Sequence, residues 1–143
     1  RLPVVLPERV DPGLLAWVGR QSLQVVIVVH CNHPNEIDSS VTTALRHLRN
    51  TGAIVLNQSV LLRGVNDDAG TLIRLSEALF DAGILPYYLH QLDRVQGAAH
   101  FAVDDDIACT LMDTLHARLP GYLVPRLVRE LPGQPGKSPL WPQ

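Results

Sequence analysis

A chain of 143 residues, 46% apolar and 18% charged, is long enough to bury one sizeable core and has the composition of an ordinary globular domain. Its net charge of -2, with eleven scattered arginines and one lysine, offers no electrostatic footprint for nucleic acid or an anionic membrane. The longest apolar run, Val25 to Val29, is strand-sized, and the first residues carry no signal-peptide pattern, so a cytoplasmic protein with neither membrane nor nucleic-acid partner is expected.

Pro3 to Leu6 is a short β-branched run and predicts a strand; Asp11-Pro12 then predicts a helix start leading into Leu14 to Val18. Leu23 to His30 is almost continuously apolar, the pattern of a strand covered on both faces. Over Pro34 to Asn50, the helical spacing of Ile37, Val41, Ala44, Leu45 and Leu48 predicts a helix that Gly52 terminates. Ala53 to Leu56 is the third strand. Asn66-Asp67-Asp68 offers capping side chains for a helix buried along Leu72, Leu75, Ala78 and Leu79 and stopped at Gly83. Ile84 to His90 is the fourth strand, and Asp104-Asp105-Asp106 opens a helix with Ile107, Leu111 and Leu115 inward and Pro120 at its end. Tyr122 to Leu131 is a further extended segment.

Strand and helix thus alternate four times, which predicts an α/β fold with parallel strands and helical crossovers. An open sheet and part of a (β/α) barrel both satisfy this order, and in either case ligands gather at the C-terminal ends of the strands. The polar residues follow that rule: His30-Cys-Asn-His33, Asn57-Gln58-Ser59 and His90-Gln-Leu-Asp93 each close a predicted strand.

Lys137, the single lysine, lies in Leu131-Pro-Gly-Gln-Pro-Gly-Lys-Ser-Pro139, where flanking Gly and Pro predict a shaped loop and not a helix or strand interior. An amine partly desolvated in such a loop can condense with a carbonyl compound, the usual way a protein holds pyridoxal phosphate; a lysine on a frayed tail is the plain alternative. Cys31 and Cys109 cannot build a disulfide framework or a cysteine-spaced metal site. His30 and His33 supply two imidazoles with no third ligand nearby in sequence. Gln58 reads either as a site residue or as a polar strand end, and Asp93 either as a rim carboxylate or as a partner for Arg94 or the next helix.

Val128 to Pro139 resembles the pyridoxal-phosphate segment of the lysine 2,3-aminomutases, which are radical S-adenosylmethionine enzymes. Leu56-Asn-Gln-Ser-Val-Leu-Leu-Arg-Gly-Val-Asn-Asp67 and Pro86-Tyr-Tyr-Leu-His-Gln-Leu-Asp-Arg-Val-Gln-Gly-Ala-Ala-His-Phe101 resemble the same family in order and in register. The resemblance is strongest to the branch that makes (R)-β-lysine for modification of elongation factor P. It implies part of a (β/α) barrel of the radical S-adenosylmethionine type, with strand–helix units over residues 1–121 and an extended segment with the cofactor-lysine loop over 122–143. It also implies that Lys137 binds pyridoxal phosphate, that His30 and Gln58 lie beside S-adenosylmethionine, and that Asp93 and Glu130 hold the distal ammonium of substrate lysine. Glu130 stands where many members have Asp, which keeps the charge and lengthens the reach by one methylene.

The implied reaction is a 1,2-amino shift begun by a radical that a [4Fe-4S] cluster generates from S-adenosylmethionine. The three closely spaced cluster cysteines of the family are absent here, and the chain opens at Arg1 without an initiator Met. The expectation is therefore the C-terminal part of a longer enzyme, whose partner is the missing N-terminal part. Alone it should be inactive and only marginally folded, and with Pro3 to Leu6 left as an unpaired edge it should self-associate or remain bound to its missing half. Some members bind a structural zinc through a cysteine after Arg-Gly-Val-Asn-Asp; Asp68 stands there, so no zinc is expected. A homo-oligomer remains open. Two rival readings are a non-catalytic α/β domain that binds a ligand or partner, and an imine-forming lyase that uses Lys137 without a cluster.

Overall fold

The computed structural model describes residues 1–92 and 99–140. Five strands form one sheet in the order β1-β2-β3-β4-β5: Val26–His30, Ile54–Leu61, Leu85–Gln91, Arg126–Glu130 and Lys137–Pro139. The first four are parallel and the fifth is antiparallel to β4. Helices α3 (Ser39–Asn50), α4 (Ala69–Asp81) and α5 (Asp105–Arg118) make the three crossovers between parallel strands, and α1 (Leu2–Val5) and α2 (Pro12–Gly19) precede β1.

The cover is one-sided. Along β2 the residues Val55, Asn57, Ser59 and Leu61 are buried, while Leu56, Gln58 and Val60 on the other face are only half-buried. Val29, Leu45, Leu48, Val55, Leu79 and Ile84 form one core beneath α3 and α4. Leu61, Leu89, Leu111, Met112, Leu115 and Leu127 form a second beneath α4 and α5. Parallel strands in sequential order with helices against one face make the arc of a barrel wall; a doubly wound sheet would reverse strand order and cover both faces.

The caps follow the sequence closely. Asp11, Asp38 and Asp68 accept backbone N–H bonds from Leu14, Val41 and Thr71, each at 2.8 Å, at the starts of α2, α3 and α4. Gly52 and Gly83, with φ of 90° and 77°, carry the chain out of α3 and α4.

Five expectations are corrected. Pro3 to Leu6 is not a strand: residues 2–5 form one helical turn, in which Pro3 occupies a first-turn position that needs no N–H, and Val4 packs into the first core. That leaves three crossovers instead of four, and makes β1, paired only with β2, the edge strand in place of Pro3 to Leu6. Pro34 to Asn50 is broken, since Pro34–Glu36 is a 3-10 turn and α3 begins only after Asp38. Strand β2 runs to Leu61, so Gln58 stands within it and not at its end. In α5 the buried stripe is Ala108, Leu111, Met112 and Leu115, with Ile107 exposed. Lys137 opens a short edge strand instead of sitting in a loop, because a three-residue edge tolerates the missing N–H of Pro139.

Candidate functional site

The face without helices carries the polar residues. In register, His30 of β1 lies beside Gln58 of β2, and Gln58 beside Tyr88 of β3. His90 of β3 lies beside Val128 of β4, and Glu130 at the end of β4 pairs with Lys137 of β5. A cavity of about 300 Å³ is lined by His30, Gln58, Val60, His90, Leu92 and Glu130. Glu130 also borders a second, open cavity of about 580 Å³, lined by the turn that runs from Leu131 to Lys137. The sheet thus gathers four of the five sequence-predicted site residues on one surface; Asp93 lies outside the described residues.

At one end, the Gln58 side-chain amide meets Nε2 of His30 at 2.8 Å. An amide N–H donated there requires an unprotonated Nε2, and the imidazole suits it: burial first of all holds its pKa below the usual value. At the other end, Lys137 Nζ donates to Glu130 Oε1 at 2.5 Å, with the lysine side chain 27% and the glutamate 72% exposed. This bond, followed by the Lys137 charge itself, holds the Glu130 carboxyl below the ordinary carboxylate range. Between the two ends, His90 is pushed toward its neutral form by burial first and by the Lys137 charge second.

The rim loop after β1 is fixed by residues that the sequence reading overlooked. Asn57 accepts from Cys31 N at 2.8 Å and donates to Cys31 O at 3.0 Å, and Ser59 donates to the same carbonyl. Asn32 accepts from Val60 N, and Asn66 donates to both Asn32 O and Val60 O. Glu36 accepts from Asn32 N and His33 N. These side chains stand in for a strand ladder where β1 ends and β2 continues, so His30 is carried on a backbone tied to β2. Asn57 was legible only as a rim polar group and Asn66 only as a cap; burial of both to 1% or less is the signal of their structural work.

The groups implied by the resemblance can be tested against these residues. Lys137 fits pyridoxal phosphate: its amine is on the open face, at a cavity edge, against a carboxylate. The His30–Gln58 pair fits a polar ligand in the smaller cavity. An iron–sulfur cluster does not fit. Cys31 is buried, its thiol pushed up to about 12 chiefly by burial, Cys109 lies near Leu140 O, and no group of three metal-ligating side chains occurs among the described residues.

No established family profile matches the chain. A radical SAM methyltransferase from Sphaerobacter thermophilus has a similar fold, with a TM-score of 0.60 over 82% of this chain and 37% of that one, at 19% identity. Among curated proteins, the L-lysine 2,3-aminomutase of Escherichia coli is 54% identical over 140 residues, 98% of this chain and 41% of that protein. That of Haemophilus influenzae is 51% identical over 96% of the chain and 41% of its own length, and that of Clostridium subterminale 38% identical over 99% and 34%. The chain spans about two fifths of the length of the first two of these relatives. Matched over 96% to 99% of its length at 38% to 54% identity, the chain belongs to the L-lysine 2,3-aminomutase family.

Proposed function

We propose that the complete protein carrying this segment is a lysine 2,3-aminomutase that converts L-lysine to (R)-β-lysine in the cytoplasm, and that the product serves modification of elongation factor P. Residues 1–121 supply the barrel wall and 122–143 the lysine-bearing segment, while the rest of the protein covers the open face and brings the cluster ligands. When bound, pyridoxal phosphate supplies a carbonyl that holds the migrating nitrogen, and S-adenosylmethionine supplies the radical source.

The observation that carries this reading is that Glu130 borders the cavity lined by His30 and Gln58 and also the neighbouring one lined by Lys137, to which it is bonded. Lys137 offers the only lysine amine of the segment. Glu130 holds that ammonium in the ligand-free protein, and its charge becomes available to the distal ammonium of substrate once the Lys137 amine is engaged. Asp93 is the second acid of that clamp. Together they select a diamine, because a substrate ending in a neutral or acidic group leaves two carboxylates without a cation. His30 and Gln58, held neutral against each other, orient the S-adenosylmethionine side.

The test is a turnover assay of the complete protein with lysine and with 2-aminohexanoic acid, which lacks the distal ammonium. The reading expects β-lysine from the first and no amino shift in the second. Equal turnover of both would overturn the clamp, and absence of β-lysine from a cofactor-loaded protein would overturn the activity.

A further inference from the structure

Strand β3 departs from regular pairing at one point. Asn57 pairs with Pro86, but the next residue, Gln58, pairs with Tyr88, so Tyr87 is an extra residue that β2 does not match. In a regular strand, neighbours point to opposite faces; a bulge breaks that alternation and re-aims a side chain. Here it brings consecutive tyrosines together, with ring centroids 3.9 Å apart, planes at 36°, and the Tyr87 hydroxyl donating to that of Tyr88 at 3.1 Å. His90 stands edge-on to Tyr88 at 5.7 Å, which extends the aromatic row along the strand. Both tyrosine rings remain half-buried, so the row is not sealed by the protein around it.

Lys137 is placed against this row. Its Nζ lies 5.7 Å from the centroid of the Tyr88 ring while bonded to Glu130. Glu130 fixes the amine from one side and Tyr88 faces it from another, so a planar group attached at Nζ is held next to an aromatic surface. The bulge also serves the helical face: counted from Pro86, which pairs with Asn57, regular alternation would turn Leu89 and Gln91 outward, and the extra residue returns both to the buried side. On the open face the same shift places Tyr88 beside Gln58.

We infer that Tyr88, braced by Tyr87, is a stacking residue for the planar ring of the aldehyde held by Lys137, and that the β3 bulge presents it. The inference rests on Lys137 being the carbonyl-binding amine. Stacking of this kind contributes roughly 0.5–1.5 kcal/mol, or about 2- to 12-fold in affinity. It also fixes the tilt of the bound ring, which is visible as induced circular dichroism of the chromophore.

The experiment titrates the complete protein with pyridoxal phosphate and follows absorbance and induced circular dichroism in wild type, Tyr88→Leu, Tyr88→Phe, Tyr87→Leu and Lys137→Ala. Tyr88→Leu is expected to weaken binding by about 2- to 12-fold and to diminish the dichroism. Tyr88→Phe should retain both, and Tyr87→Leu should fall between. If Leu at position 88 prevents folding, the comparison of Tyr87→Leu with Tyr88→Phe decides alone: equal affinity and equal dichroism in the two overturns the inference. Unchanged affinity and dichroism in a folded Tyr88→Leu overturns it as well. Lys137→Ala separates the two claims, since covalent binding that survives there removes the reading of Lys137, whereas its loss beside a silent Tyr88→Leu removes only the stacking role.

Discussion

His30 and His90 sit on a sheet face that burial makes hostile to charge, and both are held below the ordinary imidazole value of 6.5. A base whose pKa is lower in the folded chain than in the unfolded one binds protons more weakly when folded. Stability is therefore level above the ordinary value and declines as pH falls from there through the lowered pKa. Denaturant midpoints measured between about pH 7 and about pH 5 should fall, and His90→Asn should flatten that slope. An unchanged slope in the variant would remove His90 as a contributor. Specificity is tested at the same scale. Asp93→Asn should raise the KM for lysine strongly, by the equivalent of about 2–5 kcal/mol if the acid is desolvated around an ammonium. Unaltered steady-state kinetics would take Asp93 out of the site. The sequence itself singles out Lys137, a lone lysine among Gly and Pro, whereas Glu130, His30 and Gln58 are marked only through the family resemblance. It could not mark Tyr88, since two adjacent tyrosines in a strand read as alternating faces until a bulge is seen.

Elements were legible where the signal was local. The caps at Asp11, Asp38 and Asp68, and the glycines that end α3 and α4, depend on one side chain or one backbone angle, and the Asp11 and Asp68 caps and both glycines stand out in the sequence. Gly83 shows how much a single position can carry. At φ 77°, an added Cβ would lie 2.0 Å from the Arg49 guanidinium of α3, so the glycine meets both a backbone and a space requirement. Gly83→Ala should therefore cost about 1–2 kcal/mol or more, read as a lower denaturant midpoint. Gly52→Ala tests the backbone part alone, because no atom lies within 4 Å of its added Cβ. Equal losses at the two sites would mean that the arginine simply moves aside. The misread elements had weak local signals. The run at 3–6 has only two β-branched residues, Val4 and Val5, and Pro3 and Pro7 around them favour a turn of helix as readily as a strand. The end of β2 was misplaced because Asn57, Gln58 and Ser59 look like a rim, whereas β3 and the asparagine bracket keep the chain extended to Leu61.

For the whole molecule, alternation of strand and helix predicted a parallel sheet but could not choose between an open sheet and a barrel arc. Strand order and the bare face make that choice, because they are tertiary properties that no local pattern encodes. The bare face also explains why polar and apolar groups mix there: Val26 and Ile54 are about half exposed at its lower end, while His30, Gln58, His90, Glu130 and Lys137 gather toward the upper end. Such a surface is suited to being closed by further chain around a ligand. The proposed chemistry depends on Lys137. Reduction of the complete, pyridoxal-phosphate-loaded protein with borohydride, followed by peptide mapping, should place the label on the peptide containing Lys137; a label confined to another lysine of the complete protein, or no label, would contradict it.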